Sequence, residues 1–209
     1  MHNDSPIGPG RPKDLIKREA ILQAAKQLFL SLGYANTSMD AVATAAGVSK
    51  LTVYSHFTDK QTLFGAAVMA TCNAQLPDLL FELSEEAELE DVLLDIARSF
   101  QALITDPESV QLTRLIMAVG TQDPGFAEYF YEAGPQRVLA GMTLLLDKLD
   151  ARGWLNVEDA PRAAEHFFCL VKGAPDYRLL LGCAPPLTGD EAEAHVRSAV
   201  GVFIRAFSA

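Results

Sequence analysis

Apolar residues in this chain recur at intervals of three and four almost from one end to the other, the spacing of helices that each bury one face. The first such stripe is Ile21, Ala25, Leu28, Phe29 and Leu32, and Gly33 follows where a helix would be capped. Met39, Val42, Ala43 and Ala46 form a second, shorter stripe. Thr37 and Asp40 precede it like a capping box with Asp in place of Glu. Gly47 then supplies a turn, Val48 plugs the corner, and Ser49 caps a third helix from Lys50 to Phe57 whose inward face is Val53 and Phe57. Two short helices joined by a Gly-containing turn are the pattern of a helix-turn-helix. Asp59 caps a fourth helix through Leu63, Phe64, Ala67 and Val68 toward Ala74.

Beyond Pro77 the same period continues and no strand alternation of any length appears. Leu89, Val92, Leu93, Ile96, Phe100 and Leu103 make one stripe; Val110, Leu112, Leu115, Ile116 and Val119 make another. Breakers separate the segments at Pro107, at Gly120 with Pro124, at Gly134-Pro135, at Gly153 and across Cys183–Gly189. Further helices are expected over about 136–152, 160–182 and 188–207, with a kink or break in the middle one at Gly173 and Pro175. The expected fold is all-α: an arm over 1–13, a helix-turn-helix domain over 14–74, and a larger helical domain over 75–209.

Composition narrows the class. The 209 residues are 49% hydrophobic and 21% charged, a globular balance. No apolar run approaches the roughly 18 residues of a membrane span. The polar Met1–Pro12 stretch lacks a signal-peptide core, so a cytoplasmic location is expected. Cys72, Cys169 and Cys183 are odd in number and far apart, which argues against a disulfide framework and against zinc. The net charge of −10 is unevenly placed: residues 1–65 carry +2 and the remainder −12. Screening over about 8–10 Å makes the local balance the one a polyanion would meet.

The third helix carries the chemistry. Lys50, Thr52, Tyr54, Ser55 and His56 point away from Val53 and Phe57, offering a cation, three hydroxyls and an imidazole to a major groove. Lys60 suits a phosphate, as do Thr37 and Ser38 at the start of the second helix. The Gly10-Arg11-Pro12-Lys13 segment is slim enough to enter a minor groove with Arg11 and Lys13, or else is an untethered tail.

With these residues in place, positions 14–70 resemble the tetracycline-repressor (TetR) family, TetR/AcrR-like. The resemblance rests on Ile21-Leu22-Gln23-Ala24-Ala25, Phe29 with Gly33-Tyr34, Thr37-Ser38-Met39-Asp40-Ala41-Val42-Ala43, Ala46-Gly47-Val48-Ser49, and Val53-Tyr54-Ser55-His56-Phe57 followed by Lys60. It implies DNA contacts at Ser49, Lys50, Thr52, Tyr54, Ser55 and His56, and phosphate contacts at Thr37, Ser38 and Lys60. Leu51 stands where members often carry Gly or Ala; it either touches a thymine methyl or excludes water.

The resemblance further implies a homodimer that binds operator DNA and answers a small-molecule effector, with no cofactor. Val200, Phe203, Ile204 and Phe207 suit a dimer interface, although a core within one chain would also bury them. Phe100, Leu103, Ile104, Met117, Phe126, Tyr129, Phe130, Phe167 and Phe168 are candidate effector-pocket residues, with Tyr177, Arg114 and Gln122 as polar handles. Most of these are expected to be ordinary core. No nucleophile elbow, phosphate loop or His-Glu-x-x-His motif points to an enzyme, and no catalytic or metal site is assigned. His166 and Cys169 are neighbours on a helix but too few for zinc.

Overall fold

A computed structural model describes residues 11–77, 81–83, 86–121 and 124–208. Among them are ten helices: α1 (Arg11–Leu32), α2 (Met39–Ala45), α3 (Lys50–His56), α4 (Lys60–Gln75), α5 (Leu89–Thr105), α6 (Pro107–Val119), α7 (Pro124–Ala133), α8 (Pro135–Ala151), α9 (Ala160–Leu180) and α10 (Gly189–Phe207). An isolated bridge between Leu155 and Ser208 is the sole β pairing of the described residues. None of the described helices is long and apolar enough to cross a membrane.

The chain forms two compact units that divide between Ala67 and Val68. The expected boundary, after residue 74, stood at the end of α4; the division instead falls inside that helix. Its first half gives Leu63 and Phe64 to the N-terminal unit, and its second half gives Val68 and Cys72 to the other. The arm is corrected as well: α1 begins at Arg11, so Arg11 and Lys13 sit in its first turn. Residues 1–10 lie outside the described set.

In the N-terminal unit, Ile21, Ala25 and Phe29 of α1 are buried with Val42 of α2, Val53 of α3, Phe57, and Leu63 and Phe64 of α4. Phe29, Tyr34 and Phe64 pack ring to ring, with centroids 5.2 to 5.6 Å apart. The corner between α2 and α3 follows the expected chemistry: Gly47 takes φ +65°, and Ser49 Oγ accepts from Thr52 N to cap α3. Asp59 Oδ1 likewise accepts from Thr62 N at the head of α4.

In the C-terminal unit, α5, α8, α9 and α10 share the core. Leu93, Ile96, Ala97 and Phe100 of α5 meet Met142, Leu145 and Leu149 of α8, Ala164, Phe167 and Val171 of α9, and Val196, Val200 and Phe203 of α10. Arg98 of α5 donates to both carboxylate oxygens of Glu193 on α10, at 2.7 and 3.0 Å. The break expected in α9 is present. Gly173 takes φ +52° and ψ −163°, outside helical geometry. Pro175 has no N–H to offer the carbonyl of Val171 four residues earlier. His195 Nε2, from α10, stands 2.7 Å from that oxygen and replaces the missing partner. A Cβ at position 173 would meet the His195 ring at 3.0 Å, so the break and its support are built together.

Candidate DNA-reading helix and ligand cavity

The helix-turn-helix presents a narrower polar surface than its residue types suggest. Val53 and Phe57 face inward as expected, at 0% and 3% exposure. Lys50, Leu51, Tyr54 and Ser55 face outward, and Leu51, at 80%, is the most exposed large apolar side chain of the described residues. The hydroxyls are engaged locally. Ser49 Oγ caps α3 and lies 2.8 Å from Thr52 Oγ1, while Ser55 Oγ donates to Thr52 O at 2.7 Å. Lys50 Nζ pairs with both oxygens of Asp40 on α2, at 2.8 and 2.9 Å, and this hydrogen-bonded partner raises the lysine above its ordinary pKa.

Three expected DNA-facing groups are turned elsewhere. Thr37 is 2% exposed and its hydroxyl donates to Gly33 O, closing the turn after α1. The cap of α2 is therefore Ser38, whose oxygen accepts from Ala41 N; Thr37 and Asp40 form no capping box. His56 is also displaced from the open face. Its side chain is 11% exposed, with Nε2 3.1 Å from Asp14 Oδ1 but without hydrogen-bond geometry. Lys60 reaches inward, donating to Tyr34 O at 2.8 Å and Ala35 O at 3.3 Å, with its ammonium 4.4 Å from the Tyr34 ring centre. Burial pulls its pKa below the ordinary lysine value. For Thr37 and Lys60 a backbone carbonyl, invisible to helical periodicity, claims the polar group, whereas His56 is tucked beside Asp14 without a hydrogen bond.

The C-terminal unit contains a cavity of about 390 Å³. Its wall takes Val68, Thr71 and Cys72 from α4; Phe100, Leu103 and Ile104 from α5; Ser109, Leu112 and Thr113 from α6; and Phe130 and Tyr131 from α7. Gly134, Pro135, Val138 and Leu139 around the start of α8, with Glu165, Phe168, Cys169 and Lys172 of α9, complete it. Gly134 allows the close approach of α4, because a Cβ there would stand 3.2 Å from both Cys72 Sγ and Val68 Cγ1. Burial pushes the Cys72 thiol up to about 11, so it is protonated at neutral pH and acts as an apolar wall. Ser109 Oγ is buried on the cavity wall without a hydrogen-bond partner.

Five of the expected pocket residues line this cavity: Phe100, Leu103, Ile104, Phe130 and Phe168. The others do not. Phe126 and Phe167 are packed core at 3% and 1% exposure, whereas Met117, Tyr129 and Tyr177 are exposed at 62%, 40% and 66%. Arg114 donates to the carbonyls of Leu179 and Leu180, tying α6 to the end of α9. Gln122 lies outside the described residues. The α4 wall was missed because Val68 and Cys72 continue the apolar stripe of the DNA-binding unit. Two of the four expected dimer residues need correction. Val200 and Phe203, at 1% and 0% exposure, belong to the protomer's own core, and Ile204 and Phe207 pack half-buried against it. His166 and Cys169 are exposed, and no group of three or more potential metal ligands occurs among the described residues.

Comparison with known proteins agrees with this architecture over both units. Residues 21–67 match the family described as bacterial regulatory proteins, tetR family, and residues 91–209 match the AefR-like transcriptional repressor C-terminal domain. The regulator TtgR of Pseudomonas putida is 31% identical over 184 residues, spanning 83% of this chain and 85% of its own. The crystal structure of a TetR-family regulator from Mesorhizobium loti is 34% identical, with a TM-score of 0.79 over 95% of this chain and 100% of that one. The flavonoid-responsive regulator FrrA is 33% identical, with a TM-score of 0.74 over 92% of this chain and 97% of its own. These relatives are transcriptional regulators rather than enzymes. A helix-turn-helix head and a helical C-terminal domain, each matched by its own family, make this chain a member of the TetR family of transcriptional regulators.

Proposed function

We propose that the chain is a cytoplasmic repressor that binds a pseudo-palindromic operator as a homodimer and releases it when a small apolar or aromatic effector fills the cavity. The cavity carries this reading. Its volume of about 390 Å³ falls in the range of ligand sites, roughly 300–1,000 Å³, and its wall is mainly aliphatic and aromatic. A few polar groups would orient the guest: the unpartnered Ser109 hydroxyl, Glu165 and Lys172. A hydroxylated aromatic compound suits that combination, and the relative FrrA is described as flavonoid-responsive.

Coupling to DNA runs through α4 in this proposal. The helix contributes Val68, Thr71 and Cys72 to the cavity wall and Leu63 and Phe64 to the core of the DNA-binding unit. A guest that favours one placement of α4 biases the head attached to it. A ligand preferring the DNA-incompetent state a hundredfold supplies about 2.7 kcal/mol of coupling. Two heads would read half-sites about 34–36 Å apart, or a multiple of that. For the dimer, exposed Tyr177 and Leu181 at the end of α9 and Val202 on α10 replace Val200 and Phe203 as the side chains a second copy would cover.

The test is a thermal-shift screen of lipophilic and hydroxylated aromatic compounds, followed by operator titration with each hit. The reading expects hits that raise the melting temperature and weaken operator binding. Binding confined to small polar metabolites would overturn the assignment of the cavity.

A further inference from the structure

The hydrogen-bonding groups on the exposed face of α3 are largely engaged within the protein. Ser49 caps the helix, Thr52 shares its hydroxyl with Ser49, and Ser55 donates to the Thr52 carbonyl. Lys50 is paired with Asp40, and His56 is turned against Asp14. Lys50 and Ser55 are exposed too, but the apolar surface on this face comes from Leu51 and the Tyr54 ring. Leu51 is 80% exposed, and Tyr54, three residues on and so on the same side of the helix, is 43% exposed. Leu51 occupies the first turn of α3, whose buried residue is Val53. A leucine cannot read a donor or acceptor pattern. On the major-groove edge of B-DNA its match is the C5 methyl of thymine, which projects from the groove floor and distinguishes that base from the other three.

We propose that Leu51 is a specificity-determining residue that reads a thymine C5 methyl group in each operator half-site, with Tyr54 closing the same apolar contact from one turn along. This rests on the reading above that α3 enters the major groove. The recognition is van der Waals and hydrophobic, so it discriminates by shape and burial rather than by exchange of hydrogen bonds. It makes the preferred half-site carry thymine, on either strand, opposite the first turn of α3.

The experiment begins with selection of a binding site from random duplex DNA by the full-length protein. Each thymine of the selected site is then replaced singly by 2′-deoxyuridine. This removes the methyl and leaves every hydrogen-bonding edge in place. Wild-type protein should lose about fourfold or more in affinity at one or two positions per half-site, the worth of one buried methyl group. Leu51→Ala should bind the thymine operator more weakly by a similar factor and show no further loss on deoxyuridine at the same position. Leu51→Met, which keeps an apolar side chain, should retain the thymine preference and serves as a second variant should the alanine protein prove unstable. Indifference of the wild type to every deoxyuridine replacement overturns the proposal. So does an undiminished deoxyuridine penalty in Leu51→Ala, which would assign the methyl to another residue. A protein that selects no sequence would bring down the DNA-reading assignment of α3 as well, so the two failures are distinguishable.

Discussion

Lys60 gives a sharp choice between two roles, because removing its charge separates them. As a phosphate contact its loss would leave the fold intact and make the salt dependence of DNA binding shallower by about 0.9 per contact. The observed geometry describes a different residue, one that staples the turn between α1 and α2. The ammonium donates to Tyr34 O at 2.8 Å and more weakly to Ala35 O at 3.3 Å, and it lies 4.4 Å from the Tyr34 ring centre. A hydrogen bond from a charged donor contributes about 1.5–3 kcal/mol, and the cation–π contact adds about 0.5–1 kcal/mol at a partly exposed site. Desolvation of the ammonium, visible in its lowered pKa, and solvent screening offset part of this. Lys60→Met, which keeps the stem, should therefore cost about 1.5 kcal/mol, equivalent to roughly a tenfold rise in local opening. Trp154 is the single tryptophan and lies in the other unit, so its fluorescence would miss the event. Amide hydrogen exchange over residues 34–48 is the suitable assay. Unchanged exchange together with a shallower salt slope would show that Lys60 is a phosphate contact after all.

Other variants probe the two units separately. His195→Ala should orphan the Val171 carbonyl at the α9 break and cost about 1–3 kcal/mol by urea unfolding followed at Trp154, with His195→Gln recovering part; an unchanged midpoint would remove His195 from that role. Phe203→Ala should cost about 3–5 kcal/mol because the ring is fully buried, whereas Val202→Glu should leave protomer stability within about 0.5 kcal/mol and shift sedimentation toward monomer; unchanged sedimentation of Val202→Glu would place the dimer interface elsewhere. Asp59→Ala removes the cap of α4 and should cost about 1 kcal/mol. The Thr62 amide holds the Asp59 pKa below its ordinary 3.8, so that contribution is complete above this pH and fades as pH falls through the lower folded value. A wild-type-to-mutant gap that does not narrow as pH falls below 3.8 would contradict the capping role.

Local features of the chain were the legible ones. Gly47, Ser49 and Asp59 act within three residues of their own position, so turn and cap chemistry placed them correctly. Val53 and Phe57 followed from period alone. Thr37 was lost to a carbonyl only four residues back, Gly33 O, but other side chains choose among partners distant in sequence. Lys60 finds the carbonyls of Tyr34 and Ala35, 26 and 25 residues away, and His195, for which periodicity suggested no role, finds Val171, 24 away. Aromatic content likewise cannot separate a cavity wall from packed core. Phe167 and Phe168 are adjacent on α9, yet the first packs edge-on against Phe203 and the second lines the cavity beside Phe100. Periodicity marks both as buried and says nothing of the space between them.

Reciprocal coupling between cavity and operator is the most direct measurement of the central proposal. A compound that stabilises the protein would be titrated into free protein and into the protein–operator complex by calorimetry, and the operator titrated with and without the compound. Linkage requires one factor in both directions, expected here to be at least tenfold weaker ligand binding in the complex and equally weaker operator binding when the cavity is filled. Leu139→Trp, which narrows the cavity from its α8 wall, should abolish ligand binding and with it any effect of the compound on operator affinity. Equal ligand affinity for free and operator-bound protein would show that the cavity does not control DNA binding.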